Sequence, residues 1–312
     1  MAALGIAVPA WVLGGAYRLV GGPVFAILAG MLAATLLTLP AGLTPGLRFT
    51  SKKILQLSII LIGFSMNLSQ IFSMGSRSLL LILAVILTAF GTAYALRYLM
   101  KTEENVSILI GVGTAICGGS AIAATAPVIR ADDREIASAI STIFLFNIMA
   151  VLLFPTLGHL LGMTDTAFGL WAGTAINDTS SVVAAGQIWS EEALQTATVV
   201  KLVRTLMIIP TVLVLGMMQT KKMAFRIASV FPWFVLLFLA ASLLTTTNVM
   251  PAGGARLLAQ TGRFLIVTAM AAIGLNTNLK QLTAGGMRPI LLGLGCWVAV
   301  AFISLGVQQL IL

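Results

Sequence analysis

The chain has 312 residues, of which 59% are hydrophobic and only 9% charged. A soluble domain carries roughly 25% charged residues, so the composition excludes an ordinary soluble fold and points to an integral membrane protein. The net charge of +9 would suggest nucleic acid in a soluble protein. Here most Lys and Arg sit in short segments between apolar runs, where they set membrane orientation, and no basic patch with interleaved aromatics appears, so no nucleic-acid partner is expected.

Repeated apolar runs of about 20 residues imply helices spanning the lipid bilayer rather than the alternating strands of a β-barrel. The fold class read from them is an all-α polytopic membrane protein with about eleven transmembrane helices. The spans fall near 2–17, 21–40, 52–71, 78–99, 105–130, 134–157, 166–189, 193–218, 227–246, 257–277 and 289–310. No stretch between them is long enough for a soluble domain, so 1–312 reads as one integral membrane domain. The start of the chain has no basic leader or cleavage site, so no removable signal peptide is expected. Cys117 and Cys296 both lie in apolar runs, which gives no disulfide framework.

Arg48, Lys52 and Lys53 precede the third span, Arg97 and Lys101 follow the fourth, Lys221, Lys222 and Arg226 follow the eighth, and Lys280 and Arg288 follow the tenth. With eleven crossings these share one side, the cytoplasm by the positive-inside rule. Asp132, Asp133 and Glu135, and also Glu191 and Glu192, then fall opposite.

Two alignments within the chain suggest repeats. Ile62-Gly-Phe-Ser-Met-Asn67-Leu68-Ser-Gln70 matches Ile273-Gly-Leu-Asn-Thr-Asn278-Leu279-Lys-Gln281, and the match continues to Gly75 and Arg77 against Gly286 and Arg288. The copies end the third and tenth spans, an odd offset that gives opposite orientations, the mark of inverted-topology repeats. The second pair is Gly113-Thr-Ala-Ile-Cys-Gly-Gly-Ser120 and Gly173-Thr-Ala-Ile-Asn-Asp-Thr-Ser180. With eleven crossings these two run in the same direction and need not be symmetry mates.

The second pair carries the functional expectation. Each copy puts glycine and hydroxyl residues in the middle of an apolar run. A backbone break in hydrocarbon survives only where protein or a water-filled cavity satisfies the freed amides and carbonyls, so two such discontinuous helices point to a substrate site. A break at Gly118 and Gly119 would start a second half-helix near Ser120, its free amides and positive dipole end ready for an anion. Thr179 or Ser180 suits the same start in the seventh span. Close packing by small residues is the competing explanation for either segment alone.

Asp178 is the one acidic residue inside a span. A carboxylate at the bilayer centre costs at least about 3 kcal/mol on insertion scales and usually marks an ion or proton pathway. Lys201 and Arg204 are three residues apart and share a helical face, giving a positive excess over Asp178 that suits an anion. The competing reading has both side chains snorkelling to the interface. Asn67, Asn147, Asn276 and Asn278 are further amides in or at the ends of spans, individually better explained as packing contacts than as ligands. His159 is alone, so no metal site is expected, and no nucleophile–His–acid set or phosphate loop suggests an enzyme.

These motifs, with Lys201-Leu-Val-Arg204-Thr205, resemble the YeiH-type family of sulfate exporters from about residue 20 onward, and more distantly bile-acid/sodium symporters and cation/proton antiporters. The resemblance implies a bacterial inner-membrane transporter of elevator type, with two crossing discontinuous helices in a core that moves against a panel. One would be the break at Gly118–Ser120, the other either the seventh span or the tenth around Gly274–Asn278. The expected function is export of a small inorganic or sulfonate anion such as sulfate or sulfite, driven by an ion gradient. Gly118, Gly119, Ser120, Lys201 and Arg204 would bind the anion. Asn177, Asp178, Thr179, Ser180, Asn276 and Asn278 would couple Na+ or H+, without any cofactor, and a homodimer is open to such a protein. The alternative is a sodium/proton antiporter using the Asn177-Asp178 pair.

Overall fold

A computed structural model describes residues 1–17, 20–37, 40–218, 231–277 and 285–310. Lys221, Lys222, Arg226, Asn278 and Lys280 lie outside the described residues. Every regular element among the described residues is helical. They are α1 (Ala2–Ala16), α2 (Gly21–Leu36), α3 (Thr44–Phe49) joined through a π-helical turn to α4 (Leu55–Ile62), α5 (Leu68–Met100), α6 (Glu104–Ala115), α7 (Gly119–Ile129), α8 (Asp133–Leu160), α9 (Asp165–Ala175), α10 (Thr179–Trp189), α11 (Glu191–Leu206), α12 (Ile208–Met218), α13 (Trp233–Thr246), α14 (Ala252–Asn276) and α15 (Met287–Gln308). Among the described residues five stretches are long and apolar enough to cross a membrane: Leu68–Met100, Asp133–Leu160, Glu191–Met217, Ala252–Asn276 and Met287–Gln308.

The helices form two packed groups. In one, α14 packs on α1, α2 and α4, and α13 packs on α4 and the short turn after it. Small residues allow the closest approach: a Cβ on Gly274 would sit 2.3 Å from the Ile27 carbonyl, the backbone-to-backbone contact that glycine permits between membrane helices. The other group holds α5, α15, α8, α11 and the two interrupted segments.

The interrupted segments fold back on themselves. An unbroken helix over 104–129 would be about 35–40 Å long at 1.5 Å per residue. Instead its two ends meet: Arg134 Nη2 lies 3.8 Å from Glu103 Oε1, and Asn105 Nδ2 donates to Glu135 Oε2 at 2.9 Å. Along the pair, a Cβ on Gly113 would touch Ile122 at 3.0 Å, so α6 and α7 run antiparallel. The second segment behaves alike. Trp189 Nε1 donates to Asp165 Oδ1 at 2.7 Å, and the Phe168 and Trp189 rings stack at 4.1 Å, tying the end of α10 to the start of α9. Both are helical hairpins, whereas the resemblance implies two crossing helices. Hairpin 1 (α6–α7) starts at the end of α5 and leads into α8. Hairpin 2 (α9–α10) has its base at the far end of α8, where Gly158 faces Phe168 and Trp189. The hairpins therefore enter from opposite ends of α8, a 28-residue helix.

This geometry corrects two expectations. The two Gly-Thr-Ala-Ile copies run in opposite directions, not the same one. The loop at Asp132, Asp133 and Glu135 returns to the side of Lys101 instead of facing away from it, while Glu191 and Glu192 stay opposite. Accordingly, in a Cys117→Ala, Cys296→Ala background, Thr102→Cys and Asp133→Cys are expected to react with an impermeant thiol reagent from one side, and Glu192→Cys from the other. Labelling of Asp133→Cys from the side of Glu192→Cys would refute the hairpin. In addition, a break is present in the seventh apolar run, between α9 and α10; α14 is continuous through Gly274 to Asn276, and the rest of the tenth-run alternative, at Asn278, lies outside the described residues. The Asn67 end of the other repeat is a helix start: Gln70 Oε1 accepts from the Asn67 amide at 3.2 Å.

Candidate substrate site at the hairpin tips

Each hairpin turns in the middle of the molecule, and the two tips meet. In hairpin 1, α6 ends at Ala115 and the chain reverses through Ile116, Cys117 and Gly118. Gly118 has φ +68, which favours glycine, and its amide closes the turn on the Gly113 carbonyl at 2.9 Å. A Cβ there would lie 3.4 Å from Asp178 Cβ and 3.6 Å from Asn147 Nδ2, so hairpin 2 and α8 press directly on this turn. In hairpin 2, α9 ends at Ala175, Ile176 is extended, and Asp178 caps α10. Its carboxylate accepts from the Ser180 amide at 2.9 Å and from the Ser180 hydroxyl. The Asp178 amide donates to Asn147 Oδ1 at 3.1 Å.

Four helix ends thus converge, and they are chemically unlike. The C-terminal ends of α6 and α9 present carbonyls, which Lys201 and Arg204 satisfy. Lys201 Nζ donates to the carbonyls of Ile116 at 2.8 Å, Ile176 at 3.1 Å and Asn177. Three acceptors match the three N–H groups of an ammonium. Arg204 donates through Nε to Ala115 at 2.7 Å, through Nη1 to Thr174 and to Ile176 at 3.2 Å, and through Nη2 to Thr114. Both side chains are 0% exposed. The shared face expected of this pair is present, but the donors are spent on backbone. Neither residue lines the cavity described next, and neither snorkels to an interface. They staple the two tips together.

The N-terminal ends of α7 and α10 open on a cavity of about 930 Å³. Cys117, Gly119, Ser120, Asn147, Asp178 and Thr179 form its floor, with Ser180 and Thr205 beside them. Lys52 and Val128 also line it, toward the base of hairpin 1. No side chain caps α7, and the amides of Gly119 and Ser120 donate to no described residue. Gly119 is half-buried and Ser120 exposed within this space. By dipole bookkeeping the two C-terminal ends carry about −0.5 each and the two N-terminal ends about +0.5 each, which cancel. By formal charge, Lys201, Arg204 and Asp178 then leave about one net positive charge.

The tips bring together Gly118, Gly119, Ser120, Asn177, Asp178, Thr179 and Ser180 from the expected set. Asn177 is 1% exposed, and both its side-chain polar atoms are buried without a partner. Asn276 is apart from them, exposed at the last residue of α14, and Asn278 lies outside the described residues. Asn147, read from sequence as a packing contact, bridges both tips. Its one sequence signal was an amide in the centre of an otherwise apolar run. Among the described residues no group of His, Cys, Asp and Glu could hold a metal ion.

The family model described as conserved hypothetical protein 698 matches residues 1–293. The chain is 45% identical over 330 residues to a UPF0324 membrane protein of Fusobacterium nucleatum, covering 98% of this chain and 95% of the relative. It is 47% identical over 317 residues to a UPF0324 membrane protein of Streptococcus pyogenes serotype M3, covering 97% and 94%. The match to a UPF0324 membrane protein of Streptococcus mutans is 47% over 324 residues, covering 98% and 94%. No solved structure matches the chain. Long apolar helices and full-length relatives together make this a multi-pass membrane protein, and the chain belongs to the UPF0324 family of membrane proteins, the YeiH type that its Gly-Thr-Ala-Ile motifs resemble.

Proposed function

We propose that the chain is a secondary transporter that carries an anion, of the size of sulfate or sulfite at its charged end, coupled to a proton or sodium gradient. The observation that supports this most is the meeting of two helix N-termini at the floor of a cavity, one of them uncapped, over a net positive charge. Anion binding falls to Gly119 and Ser120, with Lys201 and Arg204 holding the tips in place from below. Asp178 shares the same floor and is the coupling residue: taking up the driving ion there raises the positive excess from about one charge to about two, which links anion binding to ion binding.

In this reading nine segments cross the inner membrane, namely α1, α2, α3–α4, α5, α8, α11–α12, α13, α14 and α15, and the two hairpins replace two of the eleven crossings expected. Hairpin 1 with α8, and hairpin 2 with α11–α12, form an inverted pair, the arrangement of alternating-access transporters. Lys52, Lys53, Arg97, Lys101, Arg134 and Arg288 share the side on which hairpin 1 has its base, making it the cytoplasmic side. The hairpin group moves against the group around α14, as in an elevator.

The test is solute specificity in proteoliposomes, comparing labelled sulfite or sulfate counterflow with sodium-driven pH change. Ser120→Cys, in a Cys117→Ala, Cys296→Ala background, is expected to react with a small charged thiol reagent and to be protected by the transported anion. An inert Ser120→Cys in folded, inserted protein removes the anion from this stretch. The second reading, a sodium/proton antiporter, is favoured by Asn177, whose amide has both polar atoms buried and unpartnered beside Asp178. Sodium-driven proton movement without anion counterflow would select it.

A further inference from the structure

The floor and the walls of the cavity differ in chemistry. On the floor, Asn147 is 3% exposed and engages Asp178 through Oδ1, while its Nδ2 donates to no described residue and faces the Gly118 turn. With the amides of Gly119 and Ser120 and the Ser120 hydroxyl, these donors match the few oxygens of a single acidic head group. Such a head group occupies only a small part of about 930 Å³, a volume within the roughly 300–1,000 Å³ usual for drug-sized ligands. Above the floor one wall is apolar, with Pro127 of α7, Ile140 and Phe144 of α8, Phe234 of α13 and Ile273 of α14, while Ser51, Lys52 and Gln56 line another stretch. A bare inorganic dianion gains nothing from such an apolar wall and loses hydration beside it. Methylene groups gain from the same contact.

Resting on the anion site proposed above, we infer that the substrate is an organic anion: a sulfonate or similarly acidic head group carrying an apolar tail of several carbons. The head sits at the hairpin tips on Gly119, Ser120 and Asn147. The tail runs along the wall of α8 toward α14.

The test titrates the purified full-length protein with methanesulfonate, butanesulfonate, hexanesulfonate and inorganic sulfate, read by calorimetry. Affinity is expected to rise about three- to fourfold per added methylene, and hexanesulfonate to bind at least about a hundredfold more tightly than methanesulfonate. Asn147→Ala and Ser120→Ala should weaken every sulfonate by a similar factor and leave the slope against chain length unchanged. Ile140→Asn, at an exposed wall position, and Phe144→Asn should flatten that slope. A slope that survives both wall substitutions reports partitioning into detergent or lipid and overturns the tail site. Sulfate binding as tightly as hexanesulfonate overturns the organic substrate while leaving the anion site standing. If no anion binds to folded protein, the anion reading itself fails.

Discussion

Arg204→Leu is expected to prevent stable folding, not simply to lower anion affinity. The guanidinium donates to the carbonyls of Thr114, Ala115, Thr174 and Ile176, all at the ends of helices whose last carbonyls lack intrahelical partners. Leucine leaves the Thr114, Ala115 and Thr174 carbonyls buried and unpaired, while Ile176 keeps Lys201. At about 1–3 kcal/mol for each buried group left unsatisfied, the sum is on the order of 3–9 kcal/mol, comparable with the roughly 5–15 kcal/mol that holds a typical fold together. Arg204→Lys should rescue little, because a single ammonium cannot reproduce a fork that reaches both hairpins. Lys201→Met should be milder, since its three acceptors include Ile176, which Arg204 also serves. Recovery of monodisperse protein and its melting temperature in detergent are the measurements. Arg204→Leu protein that melts like the wild type and loses only anion affinity would return this residue to direct substrate contact.

The second large effect concerns coupling. Asp178→Asn keeps an oxygen to accept from the Ser180 amide, and asparagine is as good an N-cap as aspartate, so α10 should form and the protein should fold. What disappears is the titrating charge. The tips are then fixed at about two net positive charges, so anion binding persists and becomes insensitive to the driving ion. Anion exchange down its own gradient should continue in proteoliposomes, while accumulation driven by a proton or sodium gradient drops to background. Gradient-driven accumulation at the wild-type level in the Asp178→Asn protein would show that the coupling ion binds elsewhere.

Much of the site could be read in the sequence because glycine and polar residues in mid-membrane are expensive there and rarely silent. Gly118, Gly119 and Ser120, and the Asn177–Ser180 run, announced two breaks, and the structure has both. The direction taken after each break could not be read. A 25-residue apolar run has the same hydropathy whether it crosses or folds back on itself. The choice is made by contacts such as Gly113 on Ile122 and Trp189 on Asp165, which join residues that no periodicity connects. Lys201 and Arg204 show a related gap. Their spacing gave the shared face, but a cation on such a face finds either an anion or a row of backbone carbonyls, and carbonyls leave no side-chain trace. Asn147 was passed over for the opposite reason: one amide in an apolar run has the same sequence signature whether it packs or bridges.

The stapling of both tips by one helix also orders events at the ribosome. Hairpin 1 is complete in the nascent chain by Ile129, yet the Thr114 and Ala115 carbonyls find their partner only at Arg204, 90 and 89 residues downstream of them. At about 5–20 residues per second of synthesis, Arg204 follows those carbonyls by roughly 5–20 s. During that delay, hairpin 1 is a membrane-inserted segment with unsatisfied tip carbonyls, a state that a translocon or a chaperone must shelter. A chain truncated before residue 204 stays in that state for good, and becomes a substrate for membrane quality control.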